Sequence, residues 1–370
     1  MAISREDVLN TLQSLRDPVT HKLLGELGAI SDVLVQDEKV YVDACCAAFG
    51  AASRTAMQEA IVKELTTLGG KQVEVAWTVK VAGREVREDD PVPEVLNVIA
   101  VMSGKGGVGK STTAANLAVA LAELGARVGL LDADMYGPSV PTMFGVSERP
   151  VSNDGQRLEP VQKHGIKLMS IGFLIDNPQD AIVWRGPMLH SALVQFLRDV
   201  NWGELDYLLL DLPPGTGDIP LTLSQKLQMT GAIIVTTPQE VALQDVYKSV
   251  SMCQKVHIPV LGVIENESYF VCDGCSKRHY VFGQGGGKLV ADMAKAPLLA
   301  QIPIDSACRA AGDAGCPVVL EAPQSVAGQA FLQCAETVSA HVAKFHATRQ
   351  STAVTIDRSG GQNRRLPVIK

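Results

Sequence analysis

Apolar positions along this 370-residue chain fall into two successive rhythms. Over residues 5–82, helical spacing at Val8, Leu9, Leu12 and Leu15 gives way to short apolar runs at 30–35 and 39–42. A second helical stripe follows through Met57, Ile61, Val62 and Leu65, then the alternating run Val73-Glu74-Val75-Ala76-Trp77. That mixture predicts a small α+β domain over 1–83. From Leu96 onward, apolar runs of strand length recur at 96–102, 127–132, 167–171, 207–211, 232–236, 260–264 and 298–302, with helical patterns between them. Strands apolar on both faces, alternating with helices, predict a mostly parallel, doubly wound α/β sheet over 96–345. Between the two, 84–95 holds a charged run with Pro91 and Pro93 and reads as a linker. The polar, basic stretch 346–370, with Gly360-Gly361, reads as a disordered tail.

Composition narrows the class without moving these boundaries. Hydrophobic residues make up 46% and charged residues 20% of the chain, as expected of a soluble protein with a sizeable core. The net charge of -7 argues against generic nucleic-acid binding, which calls for a basic surface. There is no apolar stretch long enough to span a bilayer, and Ile3-Ser4-Arg5-Glu6-Asp7 turns polar too soon for a secretory leader. A cytoplasmic protein acting without membrane or nucleic acid is the expectation. Eight cysteines in a chain of this length are no disulfide scaffold, so a close pair points to metal or redox chemistry.

The most specific motif is Ser103-Gly104-Lys105-Gly106-Gly107-Val108-Gly109-Lys110-Ser111-Thr112, between the apolar run 96–102 and a helical pattern over 113–124. Strand, glycine loop and helix in that order form a phosphate-binding loop, in which backbone N–H groups and a helix N-terminus face an anion. Gly104, Gly106, Gly107 and Gly109 let the backbone approach the phosphates, Lys110 reaches the β- and γ-phosphates of ATP, and Ser111 ligates Mg²⁺. Two acidic motifs follow strands: Asp132-Ala133-Asp134 after 127–131, and Asp211-Leu212-Pro213-Pro214-Gly215-Thr216-Gly217-Asp218 after 207–210. Asp211 stands where a Walker B carboxylate holds Mg²⁺. Each aspartate taken alone reads equally well as a cap or turn former; three such motifs in the expected order favour phosphate chemistry.

The loop, with its additional lysine at Lys105, resembles that of the deviant-Walker ATPases, the group that includes MinD and ParA. The resemblance implies an ATP-dependent homodimer in which Lys105 reaches the partner's phosphates, and it implies that Asp134 orients the attacking water. It also places Asn266, after the strand 260–264, where relatives read adenine; a strand-end turn role is the alternative for that residue.

Cys272-Asp273-Gly274-Cys275 is the chain's one C-x-x-C. Spacing leaves three readings open: zinc with His279 and a further ligand, a redox pair, or two chains each donating a pair to a bridging cluster. The homodimer implied by Lys105 favours the third, because a two-fold axis turns two thiolates into four. The string from Gly262 through Cys275 to Gly283, with Asp132 to Ser139, Trp184-Arg185-Gly186-Pro187-Met188 and Asp211 to Asp218, resembles the Mrp/ApbC branch of these ATPases. That branch implies an iron-sulfur cluster carrier. Cys272 and Cys275 of both chains would hold a [4Fe-4S] cluster accepted from an assembly scaffold and passed to apoproteins. The first domain resembles a small iron-sulfur-assembly domain, but its Ala44-Cys45-Cys46-Ala47 lacks that family's prolines, and Cys45 and Cys46 read as buried packing. Cys253, Cys308, Cys316 and Cys334 read as core fillers. The competing functions are a MinD/ParA-like spatial organiser, against which the tail's lack of an amphipathic pattern argues, and an ATPase with a structural zinc.

Overall fold

A computed structural model describes residues 3–36, 39–134, 137–153, 155–174, 186–215 and 219–349. The chain divides into two compact units, the first formed by residues up to Gly83 together with those from Val338, the second by Arg84–Thr337.

In the first unit the order is α1 (Arg5–Ser14), α2 (Leu24–Leu27), β1 (Ile30–Gln36), β2 (Lys39–Cys46), α3 (Ala51–Thr67) and β3 (Gln72–Val79). Ser4 starts α1 by accepting the Asp7 N–H on its side chain, which satisfies one of the helix's orphan donors. β2 is the middle strand, antiparallel to β1 and parallel to β3. Val8, Leu12, Val33, Val42, Met57, Ile61 and Leu65 close on one core, each 2% exposed or less; burying such side chains contributes roughly 1.5–3 kcal/mol apiece. Cys45 and Cys46 are buried, as their sequence context predicts.

The second unit runs β4 (Val95–Ser103), α4 (Lys110–Glu123), β5 (Val128–Asp132), α5 (Val140–Met143), β6 (Val161–Lys163), β7 (Ile166–Ser170), α6 (Gly186–Arg198), β8 (Leu205–Asp211) and α7 (Ile219–Lys226). It continues with β9 (Gly231–Thr236), α8 (Glu240–Lys255), β10 (Val260–Glu265), β11 (Phe270–Val271), β12 (Arg278–His279), α9 (Gly286–Ala294), β13 (Leu298–Gln301), α10 (Ser306–Asp313), α11 (Val318–Glu321) and the first part of α12 (Val326–Thr348), whose residues from Val338 belong to the first unit. Among the described residues these strands give an eight-stranded sheet ordered β13-β10-β9-β4-β8-β5-β7-β6. Every pairing is parallel except β6 with β7, where a short edge strand folds back. All nine residues of β4 are buried, as are all of β8 and β9, which is why they appear in the sequence as mostly apolar runs without alternation. The chain builds outward from β4 to β5 and β7, returns to insert β8, then crosses to β9. Strand order therefore reverses at β4, and a crevice opens beyond its carboxyl end.

Two expected boundaries look different in the structure. The stretch expected as a linker is part of the second unit: Arg84 is 3% exposed, pairs with the buried Asp90 carboxylate through both terminal nitrogens, and donates to the Val92 carbonyl at 2.8 Å. The stretch expected as a tail begins inside α12, which continues to Thr348 and contributes Ser339 Oγ as acceptor for the Phe49 N–H at 2.8 Å. The remainder of the expected tail, 350–370, lies outside the described residues.

Candidate functional site

The phosphate-binding loop occupies the switch-point crevice, leaving β4 at Ser103 and entering α4 at Lys110. Its glycines are required for distinct reasons. Gly107 and Gly109 have φ of 77° and 76°, the left-handed region that side chains resist. A Cβ on Gly104 would lie 2.3 Å from the Val246 backbone nitrogen, so that position has no space for one. Val108 is buried, and Ser103 Oγ donates to the Lys105 carbonyl at 3.0 Å. The start of α4 then presents backbone N–H groups and its positive dipole end to the crevice.

Behind the loop lies a buried charge cluster. Lys110 Nζ donates to Asp211 Oδ1 at 2.5 Å, lies 3.3 Å from Ser111 Oγ and stands 3.6 Å from Asp134 Oδ2. Its side chain is 6% exposed and that of Asp211 fully buried. Burial pushes Asp211 above the usual carboxylate range, opposed by the Lys110 ammonium. Its second oxygen, Oδ2, is buried with no hydrogen-bond partner. A carboxylate oxygen left open beside a serine hydroxyl fits the oxygen-rich coordination of Mg²⁺.

Asp132, at the end of β5, is in register with Asp211 at the end of β8. Burial, reinforced by the Asp211 charge, pushes its carboxyl up to about 7, while Ser170 Oγ donates to it at 2.9 Å. The sequence marks the Asp132–Asp134 pair, but only the register with β8 assigns Asp132 to this cluster.

Asn266 directly follows β10 and is 9% exposed; its Nδ2 donates to the Val108 carbonyl at 3.0 Å, so it braces the loop from the side. It also lines a cavity of about 620 Å³ shared with Gly109, Thr112, Pro303, Asp305 and Cys308, a size typical of small-molecule sites. Glu267, another wall residue, is pushed above the usual carboxylate range by burial, with the nearby Lys105 ammonium opposing. The 303–313 wall escapes sequence reading because it joins the loop only through the fold. Cys308, expected as a core filler, instead lines this cavity half-buried, and Cys316 is also half-buried; Cys253 and Cys334 do sit in the core. Thr216-Gly217-Asp218, Met135-Tyr136 and Trp184-Arg185 lie outside the described residues.

Beyond Asn266 the chain reaches Cys272 in six positions and Cys275 in nine. The buried Glu265 anchors that turn, accepting from the Gly287 N–H at 2.5 Å, Ser268 Oγ at 2.5 Å and Gln301 Nε2 at 2.8 Å. β11 and β12 form a two-stranded antiparallel hairpin whose tip carries Cys272 and Cys275. Cys272 is half-exposed and Cys275 exposed. Backbone N–H groups of Cys275 and Gly274 hold the Cys272 thiol below its ordinary range. Phe270, Tyr280, Val281 and Phe282 beside them are exposed, with Val281 at 61%.

A glycine cradle at the switch point, a lysine and an aspartate from successive motifs, and a braced nucleotide-sized cavity define a P-loop NTPase. Residues 94–339 match the family of NUBPL iron-transfer P-loop NTPases, and the chain belongs to that family. Residues 5–77 match the iron-sulfur cluster assembly protein family. The iron-sulfur cluster carrier protein of Synechocystis sp. is 44% identical over 347 residues, spanning 92% of this chain and 98% of that protein. Its namesake in Escherichia coli is 41% identical over 341 residues, spanning 91% of this chain and 92% of that protein. Among solved structures, the nucleotide-binding protein of Archaeoglobus fulgidus in complex with ADP is 46% identical and covers 60% of this chain and 87% of its own, with a TM-score of 0.53. The fold is thus that of an iron-sulfur cluster carrier P-loop NTPase, preceded by a small assembly-type domain.

Proposed function

We propose that this protein is an ATP-hydrolysing carrier of a [4Fe-4S] cluster, which it receives from an assembly scaffold and passes to apoproteins. The observation that carries the reading is the exposed Cys272–Cys275 hairpin tip, six positions from the residue that braces the phosphate loop. One chain supplies two thiolates and such a cluster takes four, so a homodimer completes the site. Exposure suits a cargo that must leave.

At the nucleotide, the loop N–H groups of 104–112 cradle the phosphates, and Lys110 exchanges its Asp211 partner for the β- and γ-phosphates. Ser111 and Asp211 would hold Mg²⁺, which would supply charge neutralisation at the phosphate oxygens. Asp134 orients the attacking water, and Asn266 stands at the base end of the cavity. Lys105 reaches the phosphates of the partner subunit, tying ATP to dimer closure and so to cluster loading. The net charge of -7 fits an action without nucleic acid. No helix among the described residues is long and apolar enough to cross a membrane.

Two measurements test this. Anaerobic reconstitution with iron and sulfide gives the wild type the broad visible absorbance of an iron–sulfur cluster and leaves Cys272→Ala/Cys275→Ala colourless; equal spectra would refute the ligand assignment. Lys110→Ala loses ATP turnover, and unchanged turnover would remove the loop from the mechanism.

A further inference from the structure

The first unit holds a cavity of its own. It measures about 200 Å³, below the roughly 300–1,000 Å³ of drug-sized sites, so it suits a small occupant. Every residue lining it belongs to the first unit. Lys22, Lys80 and Arg349 bring cationic side chains to it, against one carboxylate, that of the exposed Glu26. Much of the remaining lining is small and apolar: Leu27, Ala29, Ala47 and Ala343, with the buried Cys45 and Cys46.

Three stretches distant in sequence build this cavity, each fixed by its own contacts. Lys22 closes a turn in which its carbonyl accepts the Asp17 N–H at 2.9 Å. The Asp17 carboxylate is engaged inside that turn, accepting from the Val19 N–H at 3.1 Å, the Thr20 N–H at 2.6 Å and the Thr20 hydroxyl at 2.8 Å. β2 ends in Cys45 and Cys46, and the Cys46 carbonyl accepts the Lys80 N–H at 2.9 Å, which sets where that lysine leaves β3. At the end of α12, Arg349 stacks its guanidinium 4.4 Å from the centre of the Phe345 ring, and the adjoining His346 is 7% exposed. Burial pushes Cys46 up to about 12, so it stays an uncharged thiol at neutral pH. Burial, reinforced by the Arg349 charge, pulls His346 down to about 4, so it stays a neutral imidazole. Neither opposes an anion.

We propose that this cavity binds one small monocarboxylate with a short apolar body, the carboxylate meeting Lys22 and Arg349 and the body lying against the alanines and the Cys45–Cys46 corner. Lysine and arginine give a carboxylate charge-assisted hydrogen bonds, and apolar walls gain from each methylene they cover. Both kinds of lining are then used. An inorganic anion would use the cations alone, and a neutral apolar molecule the walls alone. Glu26 repels a second negative charge, which favours a monoanion. Binding is non-covalent and moves no electron. The site shares no residue with the phosphate loop or the hairpin, so it stands or falls apart from the cluster reading.

The test is calorimetric titration of the full chain with butyrate, with ADP in excess to keep butyrate off the phosphate loop, and saturation-transfer NMR on the butyrate methyl protons. One butyrate per chain, with strong transfer to the methyl group, is the expected result. Arg349→Gln weakens binding by about tenfold or more, as losing a hydrogen bond to a charged group does. Glu26→Gln tightens it by up to about fivefold, the range of an exposed charge pair. Both side chains are exposed, and a merely structural role would not move affinity in opposite directions. Ala347→Leu, filling the cavity from α12, removes binding while the urea midpoint reports that the fold is kept. Absence of both heat and transfer at millimolar butyrate overturns the proposal, as does Arg349→Gln titrating like the wild type. Inorganic phosphate binding as tightly as butyrate also overturns it, because the apolar walls would then contribute nothing.

Discussion

The two ends of the segment 266–272 are built on opposite terms. At Asn266 the phosphate site is interior: Lys110 and Asp211 neutralise each other out of reach of water, and Gly104 fits against neighbouring backbone with no room for a Cβ. At Cys272 the thiolate site is exterior, carried by strands of two residues each. A buried charge without its partner costs several kcal/mol, so the interior site is bound up with folding. An exposed thiol has no such tie. The phosphate end is locked into the core of its unit and the cysteine end stands at the surface, an arrangement that suits the proposed carrier, with a fixed engine and a removable cargo.

The largest effect that tests this contrast is on stability, quite apart from activity. Lys110→Ala leaves Asp211 buried and unpaired and is expected to cost the nucleotide-free protein about 3–5 kcal/mol in urea unfolding. Burial already raises the Asp211 pKa, and losing the Lys110 ammonium raises it further. The folded variant therefore takes up a proton more readily than the unfolded chain, and the deficit narrows as pH falls. Cys272→Ala/Cys275→Ala is expected to stay within about 0.5 kcal/mol of wild type, as exposed substitutions do. Equal losses in the two variants would erase the distinction between interior and exterior sites.

A smaller effect separates backbone strain from contact within the loop. Gly107→Ala meets no atom within 4 Å and pays only for its left-handed φ, about 1–2 kcal/mol. Gly109→Ala pays the same strain and also places its Cβ 2.1 Å from Asn266 Nδ2, displacing the brace on Val108. Gly109→Ala should therefore be the less stable of the two and bind ADP more weakly in calorimetry. Indistinguishable variants would mean that Asn266 does not brace the loop.

The same contrast explains what the sequence could reveal. Phosphate chemistry demands particular residue types at fixed spacing, so the loop, Asp134 and Asp211 are legible, and the buried strands β4, β8 and β9 announce themselves as apolar runs. The hairpin is not legible as structure, because strands of two residues carry no periodicity. His279 could be named as one possible ligand, but only the Phe270–His279 pairing brings it beside the cysteines. The 84–95 stretch misleads for a physical reason: Arg84 and Asp90 look solvated in a charged run, yet each neutralises the other and both are buried. Cys308 reads as core because it stands singly in an alanine-rich helical stretch, whereas the wall it belongs to is assembled from helices and loops distant in sequence.

The smallest effect involves no loss of stability and asks whether the two ends are independent. Lowered by its backbone hydrogen bonds, the Cys272 thiol holds more thiolate at a given pH, so its alkylation should accelerate at a lower pH than that of an ordinary thiol. Burial pushes Cys46 up to about 12, Cys253 to about 11 and Cys334 to about 12, and these should react only after unfolding. Cys308, pushed up to about 11 on the cavity wall, should react slowly and more slowly still with ADP bound. If ADP protects Cys308 and leaves Cys272 unchanged, the cavity and the hairpin respond separately in one chain. If it slows both alike, nucleotide is felt six positions away through Asn266 and the Glu265-anchored turn, and the division into independent engine and cargo sites gives way to a coupled pair.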